Sequence, residues 1–224
     1  QVPRLDPQNV RSRRTHLIRD PYREDDLKDL VARTSGLQGA RRILHAMTGT
    51  LIFLAITLLE LSKSFTVAAL LGVFFVLLAS DLIRLRVPRF NVLFFRFFKV
   101  LVSPRESDHV ASSTWYILGG LIAIAVFRLP TALSGILVLA WADPTASYLG
   151  RRWGKRPFLG GTLEGSTAFL AVATLILLLR HPPAVAIASA CLMTLAERVA
   201  WPFDDNLMLA PACAGTLTLL EWIV

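Results

Sequence analysis

The chain has 224 residues, 54% of them apolar and only 18% charged, with a mean hydropathy of +0.55 and a formal net charge of +8. Soluble domains average about 45–50% apolar and about 25% charged, so this composition excludes an ordinary soluble globule and points to an integral membrane protein. The two cysteines, Cys191 and Cys213, both lie in apolar runs and read as buried thiols, not as a disulfide frame or a thiolate metal site.

Residues 1–40 read as a polar, charged arm without the apolar core of a signal peptide. Within it, Leu27, Leu30 and Val31 are spaced like one face of a short helix, solvated or interfacial. Residues 41–224 read as one transmembrane domain. Its apolar segments lie near 44–62, 65–80, 110–128, 130–149, 163–180, 184–199 and 207–223. The expected fold is therefore an all-α, polytopic bundle of about seven spans behind a charged arm. Residues 90–102, rich in Phe but carrying Arg96 and Lys99, are too short to span and read as an interfacial or re-entrant helix. In the fourth segment, Pro144 follows Asp143 and is expected to break the helix.

Cation counts set the expected topology. The arm through Arg42 holds ten Lys and Arg, and the connections that follow hold one, six, one, four, one and one. The positive-inside rule then puts the N-terminus and the loops at 81–109, 150–162 and 198–206 in the cytoplasm, with 21 cations inside and 3 outside. That pattern accounts for the positive charge without nucleic acid.

This topology sorts the polar side chains to one face. Arg41, His45, Asp81, Arg84, Glu106, Asp108, Glu164, Glu197, Asp204, Asp205 and Asn206 all fall near cytoplasmic helix ends. Asp143 lies roughly 9 Å inside the fourth segment. An ionised carboxylate in hydrocarbon costs several kcal/mol, so it must face the protein interior or a wet cavity. Carboxylates without thiols suit Mg²⁺. Glycines with Lys and Arg suit phosphates. Together they suit a nucleoside triphosphate with its metal. Individually, Thr162 and Asp205 or Asn206 also fit helix caps, and Arg41 and Arg42 fit topology anchors. The run Gly150 to Arg156 is not a Walker-type phosphate loop, because Arg156 follows Gly154 and Lys155 where Ser or Thr is required.

Four blocks resemble the CTP-dependent lipid-alcohol kinases, the family of dolichol kinase, phytol kinase and the CTP-dependent diacylglycerol kinase. They are RRILH, SPRESDHVASSTWYILGG, ADPTASYLGRRWGKRPFLGGTLEGSTAF and ERVAWPFDDNLMLAP, in that order from Arg41 to Pro211. The resemblance implies transfer of the γ-phosphate of CTP to a lipid alcohol at the cytoplasmic face of the bilayer. It implies catalytic roles for Asp143, His45, Arg41, Glu106 and Glu197. It implies nucleotide contacts from Gly150, Arg151, Arg152, Gly154, Lys155, Gly160, Gly161, Thr162 and Arg105. Mg²⁺ is then expected on Asp143 with Glu164, Glu197, Asp205 or Asn206, and Gly165 belongs to the same central block. Spans three and four, with the Phe-rich 90–102 segment, are expected to line the lipid-tail groove. The sequence departs from the family where Gly161 replaces the usual Lys and Ala142 the usual Gly. The central block is also similar to that of phosphatidate cytidylyltransferases. That family closes on a His-Gly-Gly-x-x-Asp-Arg-type signature, absent here, which favours the kinase; a non-catalytic lipid-binding or transport membrane protein is the alternative of another class.

Overall fold

A computed structural model describes residues 24–34, 38–199 and 204–223. The first part of the arm and residues 200–203 of the last sequence block lie outside the described residues. The fold is all-α, as expected. Helix α1 (Glu24–Arg33) precedes α2 (Gly39–Leu58), α3 (Lys63–Arg86) and α4 (Pro88–Phe97). A short 3₁₀ turn (Pro104–Ser107) leads to α5 (Ser112–Val126) and α6 (Leu129–Trp153). A two-stranded hairpin, β1 (Pro157–Phe158) and β2 (Gly161–Thr162), leads to α7 (Leu163–Leu178), α8 (Pro183–Ala196) and α9 (Asp205–Ile223).

Local sequence explains the boundaries. Ser62 caps α3 by accepting the Phe65 amide, and Thr162 caps α7 by accepting the Gly165 amide. Proline stands in the first turn of α4, α6 and α8, where its missing N–H is not needed. Asp204, not Asp205 or Asn206, caps α9: its carboxylate accepts the Asn206 amide at 3.1 Å. The break expected at Pro144 does not occur. Helix α6 runs through it to Trp153, because packing on several sides outweighs one lost backbone hydrogen bond. The loop of glycines and cations that was expected next is partly the β1–β2 hairpin, turned by Gly160 at φ +77°.

Helix α6 is the hub of the bundle. It packs against α2, α5, α7 and α9, and its Ala132, Val138, Ala140 and Ala142 are inaccessible. Small residues let backbones approach: a Cβ on Gly135 would collide with the carbonyl of Ala210 on α9. Among the described residues, α2, α3 and α9 are long and apolar enough to cross a membrane. Helices α5, α7 and α8, at 15, 16 and 14 residues, are apolar but shorter than the ~20 residues of a full span. Cys213 is buried as expected, whereas Cys191 is exposed on the outer surface of α8, so its apolar run faces away from the core at that position.

Two buried polar networks pin the bundle. Arg84 donates to Asp81 Oδ1 at 2.7 Å, Asn91 Oδ1 at 3.0 Å, the Glu106 carbonyl at 2.6 Å and the His109 carbonyl at 2.8 Å. Asp81 Oδ2 accepts the Ala111 amide and the Thr114 hydroxyl. Some nine residues along α6 from Asp143, Ser134 Oγ lies 2.8 Å from His181 Nε2, whose Nδ1 lies 2.7 Å from Glu221 Oε1. This Ser–His–Glu series joins α6, the α7–α8 turn and α9. Ser134 is fully buried, accepts from Arg180 Nε and donates to the Pro130 carbonyl, so the series is a clamp, not an accessible nucleophile.

Candidate functional site

The helical repeat builds one polar cleft. On α6, Asp143, Ser147 and Arg151 are spaced four apart and share a face; on α2, Arg41 and His45 do the same. Asp205 and Asn206 arrive from the first turn of α9. With Gln38, Arg42 and Pro144 these residues line a cleft of about 190 Å³. The N-terminus of α9 opens on it, adding the positive end of a helix dipole.

The charges in and around this cleft are mixed. Asp143 lies within electrostatic reach of Glu197, Asp205, Arg41 and Arg198. Asp205 lies within reach of Asp204, Arg105 and Arg198. Arg41 Nη1 donates to Gln38 at 3.1 Å, and Nη2 contacts Ser112 Oγ and Glu106 Oε1. Arg42 Nη2 donates to Ser147 Oγ at 3.0 Å. The His45 and Tyr116 rings are in tilted contact, with centroids 5.0 Å apart and planes at 51°, and the His45 carbonyl accepts the Tyr116 hydroxyl. A neighbouring cleft of about 350 Å³ is lined by Arg105, Glu106, Asp108, His109, Ser112 and Asp204, among others. There the His109 ring bonds the Asp108 carboxylate at 2.7 Å and holds it below the usual carboxylate range.

Several sequence candidates are not among the residues that line the cleft. The Glu164 carboxylate accepts the Arg156 amide at 3.4 Å and braces the hairpin. Both Glu197 oxygens are taken by Arg198. A Cβ on Gly150 or Gly154 would press on Thr162, so these glycines fit the end of α6 against the base of α7. Gly161 leaves room for the Arg198 guanidinium. Arg152 and Lys155 are exposed beyond the cleft, and Arg152 stacks on Trp153 at 5.6 Å. The sequence reading passed over Ser147, Arg198 and Gln38. The four-residue spacing of Asp143, Ser147 and Arg151 was the signal for Ser147; Gln38 and Arg198 had none, since both enter through tertiary packing.

Among the described residues, no three His, Cys, Asp or Glu side chains form a metal cage. The donors present fit a different mode. Asp143 and Asp205 are hard carboxylates on one cleft beside the Asn206 amide, and Mg²⁺ is commonly held by one or two carboxylates plus substrate phosphates.

The chain is similar to the CTP-dependent diacylglycerol kinase 1 of Saccharomyces cerevisiae, 31% identical over 109 residues, which is 47% of this chain and 38% of that protein. The protein of the same name in Eremothecium gossypii is 33% identical over 101 residues, covering 44% and 32% of the two chains. That of Schizosaccharomyces pombe is 36% identical over 76 residues, covering 34% and 35%. The matches thus span about a third of each curated relative's length. No family model matches, and no solved structure does. The motif resemblance and these similarities point to the same family, the CTP-dependent lipid kinases.

Proposed function

We propose that the protein is a membrane kinase that moves the γ-phosphate of CTP to a lipid alcohol in the α2–α6–α9 cleft. The observation that supports this most is the meeting of Asp143 and Asp205 with Arg41, Arg42, Arg151 and the α9 N-terminus in one partly open space. Phosphoryl transfer asks little covalent chemistry of a protein; it asks for alignment and for charge around the spreading γ-phosphate.

Asp143 and Asp205, with Asn206, would hold Mg²⁺ and through it the triphosphate. Mg²⁺ bound there would neutralise phosphate charge and orient the γ-group for displacement. Arg41, Arg42 and Arg151 face the phosphates, and Arg105 and Arg198 add positive field from the rim. Glu106 and Glu197 position arginines: Glu106 holds Arg41 and Glu197 holds Arg198. Arg152 and Lys155, exposed beyond the cleft, would meet the nucleotide on its way in. The acceptor oxygen bonds to the γ-phosphorus as the bond to the β–γ bridging oxygen breaks. CDP leaves with that electron pair, and the hydroxyl proton passes to the His45 ring. The acceptor is an alcohol of the diacylglycerol, phytol or polyprenol type, and the cleft faces the cytoplasm, in keeping with the cation distribution.

The test is an assay of the purified protein with CTP labelled at the α- or the γ-position, against a panel of these alcohols and, in parallel, phosphatidate. Label from the γ-position in the lipid supports the proposal. Label from the α-position would make it a cytidylyltransferase, and label from neither would leave no kinase.

A further inference from the structure

The polar cleft has an apolar neighbour. Gly39, Ile43 and Ala46 of α2 and Ala140, Trp141, Thr145, Tyr148 and Leu149 of α6, with Arg42 and Pro144, line a second cleft of about 290 Å³. Arg42 and Pro144 line both spaces. The two therefore adjoin, with Arg42 and Pro144 forming their shared wall, and Pro144 follows Asp143 directly. Ile43, Met47 and Trp141 at the outer side are exposed, at 62%, 55% and 47%, so this cleft opens sideways to the surface that meets lipid. Trp141 is fixed there by its indole N–H, which donates to Thr50 Oγ1 at 3.0 Å. Arg42 is steered between the spaces by Ser147 on one side and the Tyr148 ring, 5.9 Å away, on the other.

A rival groove exists. Val76, Ala79 and Ile83 of α3 with Phe90, Phe94, Phe97 and Phe98 line about 590 Å³ of apolar space. It is larger, and it is where the Phe-rich segment directs a lipid tail. Its polar lining is the Ser80 hydroxyl and Arg84, whose guanidinium is engaged by Asp81, Asn91 and two carbonyls and lies over the Phe94 ring; it holds no carboxylate and no imidazole. A hydroxyl in that groove meets a saturated, buried hub. A hydroxyl at the inner end of the α2–α6 cleft meets Arg42, and Asp143 and His45 line the polar cleft on the other side of that residue.

We infer that the lipid acceptor enters sideways between α2 and α6, with its chain over Trp141 and its hydroxyl passing Arg42 to reach Asp143. This rests on the kinase reading for its ligand class and adds the route and the binding surface. It makes Arg42 the boundary between the lipid and nucleotide halves of the site.

The test uses the full chain in nanodiscs with a diacylglycerol carrying a diazirine in its tail, cross-linked by light and mapped by mass spectrometry. Saturable label, displaced by unmodified diacylglycerol, is expected on peptides of α2 and α6. Ala46→Leu, which fills the cleft, should lower that label about tenfold. Ala79→Phe, which fills the rival groove, should leave it in place. Displaceable label on α3 and α4, label spread evenly over all outward-facing helices, or α2–α6 label that persists in Ala46→Leu would overturn the inference. Labelling needs no turnover. A wild-type protein that labels at α2 and α6 but moves no phosphate from CTP would defeat the kinase reading and leave the cleft standing.

Discussion

Arg41 on α2 and Glu106 in the turn before α5 form an ion pair, with Nη2 3.6 Å from Oε1. The Glu106 carboxylate is nearly buried and also faces Ser103, while its carbonyl is held by Arg84. The pair therefore joins the Arg84 hub to the polar cleft, and sets where one of its cations points.

Glu106→Gln keeps the shape and removes the charge. It should loosen Arg41 and weaken CTP binding by about 1.5–3 kcal/mol, roughly tenfold or more in KM. Steady-state kinetics against CTP check this. An unchanged KM would mean that Arg41 does not serve the nucleotide.

The Arg84 hub is a prediction about stability. Removing one partner of a buried ion pair leaves the other charge uncompensated. Arg84→Ala should therefore destabilise the protein by about 3–5 kcal/mol. Thermal unfolding in detergent should show a clear fall in Tm, and activity should fall with it as the 3₁₀ turn loses its anchor.

Gly135 tests the geometry that brings α6 to α9. Its backbone meets Ala210 too closely for any side chain. Gly135→Leu should part the helices, separating Asp143 from Asp205. Lower Tm and lost phosphate transfer are expected together, with membrane insertion retained.

The Ser134–His181–Glu221 clamp lies about 14 Å along α6 from Asp143. Ser134→Ala leaves His181 Nε2 and Arg180 Nε without this partner, which should cost about 1–3 kcal/mol of stability. The KM for CTP should stay near the wild-type value, because the clamp is remote from the cleft. Thermal unfolding and kinetics on the same sample separate the two effects.

The helical class and the places of the apolar segments were legible because hydropathy reports burial in lipid or core. Helix α2 begins at Gly39, before its apolar run, because Arg41, Arg42 and His45 are solvated by a cleft and not by water. Pro144 misled because a local rule was overruled by packing around α6. That Asp143 faces a polar cleft was legible from its depth, and that Asp205 stands near it from the grouping of polar residues at one set of helix ends. Glu164 and Glu197 were not separable from them, because which carboxylates are already held by a hairpin amide or an arginine is decided by tertiary contacts. The same holds for Gly150 and Gly154, where a phosphate-like spacing serves helix packing.

In the proposed reaction Asp143 and Asp205 act together on one metal–nucleotide complex. Mn²⁺ affinity in the presence of CTP, read by electron paramagnetic resonance, tests it through Asp143→Asn, Asp205→Asn and the double variant. Each single change should weaken Mn²⁺ binding by about tenfold or more, and the double should lose little beyond either one. Losses that simply add, or affinity that neither change lowers, would contradict a shared ion in this cleft.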